Sequence, residues 1–273
     1  MKDFCIVVPI YKEDLDCVEK VSLQRLANVT QGKYDVYFLC PFWGDALKNY
    51  KDIYKYQFYT INFDEKYFAS EFTYSQICLS YDFYKAFANK YKYMLIYQLD
   101  CYLFRDDIQK WVDKDYDYIG APLVSTNCGW RTERTLPNGR KIYKPMVGNG
   151  GFSLRKISTF MDITDPNGEF RKYTGLSDEK FAQVQYEDLF FCDTLEGLYD
   201  LTKPDWKEAM EFALDMNVEN IYNDMKLNPN PMGVHAIGKN IRYWKNVIPE
   251  LNTDEIINYC EDKYKEFFKL YYK

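Results

Sequence analysis

The 273-residue sequence has one histidine, 13 glycines and 10 prolines, and 35 Lys and Arg against 41 Asp and Glu. So little glycine and proline excludes a collagen-like or low-complexity chain. The shortage of basic residues, with a net charge of -6 and a pI near 5.1, speaks against a general nucleic-acid binder, which needs a cationic surface to meet phosphates. The N-terminal apolar stretch from Phe4 to Ile10 is interrupted by Pro9. It is too short to span a bilayer and lacks the basic leader and small-residue cleavage site of a signal peptide. The eight cysteines (Cys5, Cys17, Cys40, Cys78, Cys101, Cys128, Cys192 and Cys260) stand singly among apolar neighbours. None is spaced like a zinc knuckle or a thioredoxin-like redox pair, so they read as buried thiols of a protein in the reducing cytoplasm.

What the chain has is apolar mass: 47% hydrophobic residues, enough to exclude global disorder, with 27 Tyr, 19 Phe and 5 Trp. Tyrosine offers an apolar body and a hydroxyl, which suits stacking on sugars and bases but is also ordinary core material. At this length roughly three quarters of the unfolded surface can be buried, so a single domain over residues 1–273 is expected.

The first hundred residues alternate strand-like and helix-like patterns. Phe4 to Val8, Tyr34 to Cys40, Tyr56 to Ile61 and Tyr93 to Leu99 read as strands. Asp14 to Leu26 reads as a helix, and the spacing of Tyr74, Ile77, Tyr81, Tyr84 and Ala88 predicts one long helix begun near Thr73. This alternation implies an α/β fold whose mainly parallel sheet carries helices on both faces. After residue 115 the pattern changes to short strands at Tyr116 to Ala121, Lys141 to Val147 and Gly151 to Leu154. Helices are expected at about Arg155–Asp162, Glu187–Glu196 and Asp205–Asp215, with a short strand from Met232 to Ile237. Thr253 caps a final helix with Ile256, Cys260, Tyr264, Phe267 and Tyr271 on one face. Two halves, about 1–115 and 116–250, and a C-terminal helix over 251–273 describe the organisation.

Four constellations carry chemistry. Asp100 follows a buried parallel strand in Tyr97-Gln98-Leu99-Asp100-Cys101-Tyr102, at the carboxyl edge where open α/β sheets bind ligands. It suits either a divalent cation holding a diphosphate or a simple turn or helix cap. His235 lies between Gly233 and Gly238, with Lys239 four residues on. A lone histidine is more often a hydrogen-bonded core or surface residue than a ligand. If it binds metal, imidazole with carboxylate and phosphate oxygens suits Mn²⁺ at least as well as Mg²⁺, and substrate must complete the shell. Val147-Gly148-Asn149-Gly150-Gly151-Phe152 permits close approach of a ligand or of another backbone, but is neither a phosphate loop nor a dinucleotide fingerprint. In Tyr186-Glu187-Asp188-Leu189, helix capping accounts for one acid and leaves the other for general-base work.

Taken in order, Gln98-Leu99-Asp100 with Tyr102-Leu103-Phe104, Asp117 to Pro122, Val147 to Arg155, Glu187 to Phe191 and Gly233-Val234-His235 resemble GT-A-fold glycosyltransferases. The likeness is nearest to a bacterial group of glycosyltransferase-like proteins and spans roughly residues 3 to 245. It implies a GT-A-like, Rossmann-like sheet with a smaller mixed acceptor-side half. It also implies a hexosyltransferase-like enzyme of polysaccharide biosynthesis. Such an enzyme moves a sugar from a nucleotide-diphosphate sugar to a glycan or lipid-linked acceptor.

Position by position, the resemblance assigns Pro9, Ile10, Tyr11, Gln98, Asp100 and Lys239 to the nucleotide and donor. Asp100 and His235 are assigned to a divalent cation, with Mn²⁺ favoured over Mg²⁺. Tyr102 stands where the acidic motif of such enzymes usually has its second aspartate. Tyr102, Trp130, Asn149, Gly150, Gly151 and Tyr186 fall to the donor-sugar and acceptor pocket. Asp188 is matched to the catalytic base of inverting members, with Glu187 beside it.

Other readings stay open. His235-Ala236-Ile237-Gly238-Lys239 is also similar to a His–Gly–Lys signature of retaining GT-A enzymes, and a non-catalytic binder of nucleotide sugar or carbohydrate fits the missing second aspartate. The segment Gly129 to Lys144 carries five basic residues against Glu133. It either folds over an anionic acceptor or is a solvated hairpin. The last helix packs on its own domain or rests peripherally on the inner face of the membrane.

Overall fold

The computed structural model describes residues 1–41, 44–124, 134–135, 141–142 and 145–271. The chain starts in the middle of its sheet. Strand β1 (Lys2–Pro9) pairs in parallel with β2 (Val36–Cys40) on one side and with β4 (Tyr91–Tyr97) on the other, and β3 (Tyr59–Asn62) lies outside β2. Two short strands, β5 (Tyr102–Leu103) and β6 (Tyr118–Gly120), follow, then β7 (Pro122–Leu123), β8 (Arg134–Thr135), β9 (Lys141–Ile142) and β10 (Met146–Val147). β11 (Phe152–Lys156) runs antiparallel between β4 and β6, so the main sheet has the order β3-β2-β1-β4-β11-β6. The last strands, β12 (Ala213–Leu214) and β13 (Gly233–Val234), form a small sheet with β5. This is the mixed, mainly parallel α/β architecture expected from the alternation of patterns.

Alternate residues of each buried strand serve different layers. Phe4, Ile6 and Val8 of β1 pack with Leu23, Leu26 and Ala27 of helix α1 (Cys17–Thr30). Cys5 and Val7 pack on the other face with Phe83 and Phe87, and with Phe160 and Ile163. The second helix is α2 (Lys48–Ile53). The expected long helix is in fact two, α3 (Glu71–Cys78), capped by Ser70, and α4 (Tyr81–Ala88), parted by Leu79 and Ser80. Extended backbone at Ser80 turns the second helix so that Phe83, Tyr84 and Phe87 are buried, rather than Tyr81 and Ala88. Helices α5 (Ile108–Val112), α6 (Ile157–Thr164), α7 (Glu169–Thr174), α8 (Asp178–Ala182) and α9 (Glu187–Leu189) follow, the last running into a π-helical turn, Phe190–Thr194.

Two more expectations are corrected. Residues 205–215 are not one helix: α10 (Trp206–Phe212) stops where Ala213 becomes extended and pairs as β12. After α11 (Ile241–Trp244), the final helix breaks at Tyr264 into α12 (Asp254–Lys263), with Thr253 as its cap, and α13 (Lys265–Tyr271). No helix among the described residues is long and apolar enough to cross a membrane. No disulfide forms among the described cysteines.

Candidate functional site

From β1 the chain moves outward through β2 and β3, then returns to the other side of β1 as β4. That reversal opens a crevice beyond the carboxyl ends of β1 and β4, where Pro9-Ile10-Tyr11 and Gln98-Leu99-Asp100 emerge. A cavity of about 450 Å³ occupies it, and Pro9, Ile10, Tyr11, Gln98, Asp100 and Lys239 all line it. A second cavity, of about 350 Å³, is lined by Asn149, Gly150, Gly151, Tyr186, Asp188 and His235. The two share Glu71, Tyr74, Gln98, Asp100 and Lys239, so they meet at Asp100.

The histidine is placed by strand register. β12 and β13 are parallel with Leu214 opposite Val234, so the next residues, Asp215 and His235, leave their strands side by side. The His235 amide donates to the Leu214 carbonyl (2.9 Å), and the Ile237 amide to the Asp100 carbonyl (3.0 Å). Between them Ala236 takes a left-handed conformation (φ 53°) that turns the chain back. The ring is thereby held at both nitrogens. Nδ1 lies 3.0 Å from Asp215 Oδ1, and Nε2 lies 3.1 Å from Gln98 Oε1 and 3.2 Å from Asp100 Oδ1. Gly151 makes room for this: a Cβ there would lie 2.2 Å from Nε2 and 2.5 Å from Gln98 Oε1.

Those donors fit a divalent cation. Asp100 Oδ1 is buried and makes no hydrogen bond of good geometry, although it stands within ion-pair distance of His235, so it keeps lone pairs that a cation could use. Burial opposes charge on the His235 ring, but the carboxylates of Asp100 and Asp215 outweigh it and push the ring up to about 10. Burial likewise opposes charge on Asp100, yet His235 and Lys239 hold its carboxyl below the usual value. A cation can take the electrostatic place of the imidazole proton. Cys101 Sγ is also within reach, but burial pushes its thiol well up and it donates to the Gly151 carbonyl (3.5 Å), so it is no thiolate ligand.

Asp215, which nothing in its local sequence marks, acts behind the ring. By accepting the Nδ1 proton it leaves the Nε2 lone pair for a metal. Asp215→Asn, whose amide can donate to Nδ1 and favour the wrong tautomer, is expected to weaken Mn²⁺ binding by about 10–100-fold in a calorimetric titration.

The two adjacent acids separate in role. Glu187 is buried, with Oε1 on Arg155 Nη2 (3.0 Å) and Oε2 accepting from Ser75 Oγ (2.9 Å). Arg155 is fully buried on β11 and also donates to Tyr84 Oη (3.1 Å), Ser153 Oγ (3.0 Å) and the Gly150 carbonyl (3.3 Å). Both carboxylate oxygens of Glu187 are therefore occupied by partners from β11 and α3. Asp188 keeps a carboxylate on the cavity, accepting from the amides of Leu189 (2.7 Å) and Gly150 (3.2 Å). Burial, followed by the Glu187 charge, raises its carboxyl to about 6. A Cβ on Gly150 would stand 2.5 Å from Glu187 Oε1, so this glycine lets the loop lie against the acid pair.

Other expected residues fall differently. Tyr102 lines neither cavity: it is 3% exposed, its hydroxyl donates to Glu250 (3.0 Å), and Arg25 covers its ring at 4.9 Å, because β5 turns it into the core beside Phe104 and Trp244. Tyr186, 42% exposed, stands on the 350 Å³ cavity, and Tyr11, 57% exposed, on the other. Trp130 and most of the basic segment lie outside the described residues.

In the mouse xyloside xylosyltransferase 1 (apo form), 12% identical, the match covers 85% of this chain and 97% of that one with a TM-score of 0.52. The mannosyltransferase Ktr4p of S. cerevisiae in complex with GDP (15% identity, 76% and 68% covered, TM-score 0.48) is more distant in shape. So is core-mannan synthase A of Aspergillus fumigatus in its Mn/GDP form (15%, 67% and 66%, 0.45), of whose length this chain spans just under two thirds. The xylosyltransferase match establishes a shared fold, of the GT-A type. No curated protein matches the sequence. The family model described as "Protein of unknown function (DUF5672)" matches residues 57–235, from the approach to β3 through His235, and the chain belongs to that family.

Proposed function

We propose that this protein is a metal-dependent glycosyltransferase. It moves a sugar from a nucleotide-diphosphate sugar to a hydroxyl of a glycan or lipid-linked saccharide, with inversion at the anomeric carbon. The observation that carries the reading is one continuous cleft. It joins the crevice at β1 and β4, the Asp100–His235 pair backed by Asp215, and the Asp188 carboxylate. Asp100 and His235 hold the cation, which, when bound, supplies positive charge to the leaving diphosphate. Imidazole among oxygen donors favours Mn²⁺ over Mg²⁺. Lys239, which makes no ion pair among the described residues, adds a cationic contact to the phosphates.

Asp188 performs the proton transfer. Ionised above a pKa of about 6, it accepts the proton of the acceptor hydroxyl as that oxygen attacks the anomeric carbon and the bond to the nucleoside diphosphate breaks. The amides of Leu189 and Gly150 fix the carboxylate, and Tyr186 at the mouth offers a face for an acceptor sugar. Thermal-shift assays of UDP, GDP and dTDP with and without Mn²⁺ test the reading. At least one diphosphate should raise the Tm with metal and lose that effect in EDTA, and its sugar conjugate should turn over to an anomerically inverted product by NMR. No shift and no turnover across the panel would overturn it.

A further inference from the structure

We propose that Lys263, on the C-terminal helix α12, is a second cationic contact to the diphosphate of a nucleoside-diphosphate ligand in the 450 Å³ cavity. The inference rests on the donor-site reading above and adds to it a residue from beyond the family match, which ends at residue 235. Lys263 and its neighbour Tyr264 line this cavity together with Asp100 and Lys239.

Helix α12 is docked at this wall by specific contacts. Tyr259 donates to Asp16 Oδ2 (2.6 Å), at the N-cap of α1, and Arg242 forms two hydrogen bonds to Glu261 (2.8 Å each). The ring of Tyr264 lies against the backbone of Gly238, where an added Cβ would come within 2.6 Å of it. The turn bearing Lys239 therefore rests on the end of α12, and the two lysines are held on one cavity.

Charge requires both. Glu19, Glu71 and Asp100 line the same cavity, so a diphosphate entering it meets three carboxylates. A cation at Asp100 offsets part of that repulsion, and Lys239 and Lys263 are the basic side chains in the lining. Lys263 is also available to turn inward. Its Nζ now rests 3.3 Å from Asp16 Oδ2 and 3.0 Å from the Tyr259 hydroxyl, with the side chain 40% exposed. Asp16 does not depend on it, because the amides of Val18 and Glu19, Tyr259 and Lys12 already donate to that carboxylate. A compact ammonium on a four-carbon stem can exchange this redundant partner for a phosphate oxygen.

Calorimetric titration with UDP, GDP and ADP in Mn²⁺, and with the matching nucleosides, tests the assignment. For the diphosphate that the wild type binds, Lys263→Gln should raise Kd about tenfold while the nucleoside Kd stays unchanged. Lys263→Arg, which keeps the charge and guards against a packing defect, should stay within about threefold of wild type. Equal diphosphate affinity in wild type and Lys263→Gln overturns the inference and leaves the donor-site reading intact. Equal loss for diphosphate and nucleoside also overturns it, since that outcome marks a structural role. If the wild type binds no diphosphate in Mn²⁺, the donor-site reading itself fails and takes this inference with it.

Discussion

Asp188→Asn is expected to lower transfer by about 10²–10⁴-fold, the usual contribution of a general base, while leaving diphosphate affinity unchanged and raising the Tm. The rise in stability follows from the sign of the pKa shift. The Asp188 carboxyl titrates at about 6 in the folded protein against 3.8 for an unperturbed one, so the fold disfavours its charge. That penalty is fully present above about pH 6 and vanishes below about pH 4, as the folded state takes up the proton first. Two pKa units correspond to roughly 3 kcal/mol. Partial exposure and the loss of one of the two amide hydrogen bonds reduce the gain from asparagine to about 1–2 kcal/mol, or on the order of 2–6 °C at this chain length. Thermal denaturation at pH 8 and at pH 4.5 should show a clearly larger advantage of the variant at the higher pH. An inactive variant with no gain at pH 8 would mean that Asp188 is not held against its charge. Near-normal turnover would remove it from catalysis.

Arg155→Met carries the largest expected cost in stability, about 3–5 kcal/mol in urea unfolding, because it leaves Glu187 as a buried carboxylate without its cation. Domains of this kind are stable by only about 5–15 kcal/mol, so the variant would be marginal at 37 °C. Adding Glu187→Gln removes the orphaned charge. The double variant should therefore be more stable than Arg155→Met alone by at least about 1 kcal/mol, although each change alone destabilises. Additive costs would show that the pair is not coupled.

The central strands were legible because a parallel sheet covered on both faces demands unbroken apolar runs, as in Phe4 to Val8 and Tyr93 to Tyr97. The helix break at Leu79–Ser80 was not legible, since the apolar spacing continues across it and only the turn at Ser80 shifts the buried face to Phe83 and Phe87. Within the site, the single-residue signals at Asp100, His235 and Asp188 come together on one cleft. Their supports did not announce themselves. Asp215 depends on the pairing of two-residue strands, and Ser75 reaches Glu187 from 112 positions away. Such partners are specified by tertiary register and leave no local pattern. The placement of Tyr102 away from both cavities is hidden for the same reason, since its orientation is set by β5 pairing with β13 rather than by its closeness to Asp100.

The reversed direction of β11 has a consequence for how this family can vary in length. Because β11 enters the sheet at the edge where β4 leaves it, the glycine pair leads directly into the strand that carries Arg155, which is fixed on both sides by β4 and β6. Phe152 and Leu154 face the layer under α1, whereas Arg155 faces the layer shared with Tyr84 and Phe160. Deleting one residue between Phe152 and Arg155 would put both on the same face, forcing either the guanidinium into the layer under α1 or the phenyl ring toward Glu187. The number of residues from 152 to 155 is therefore fixed by the sheet register as firmly as Arg155 itself is by Glu187.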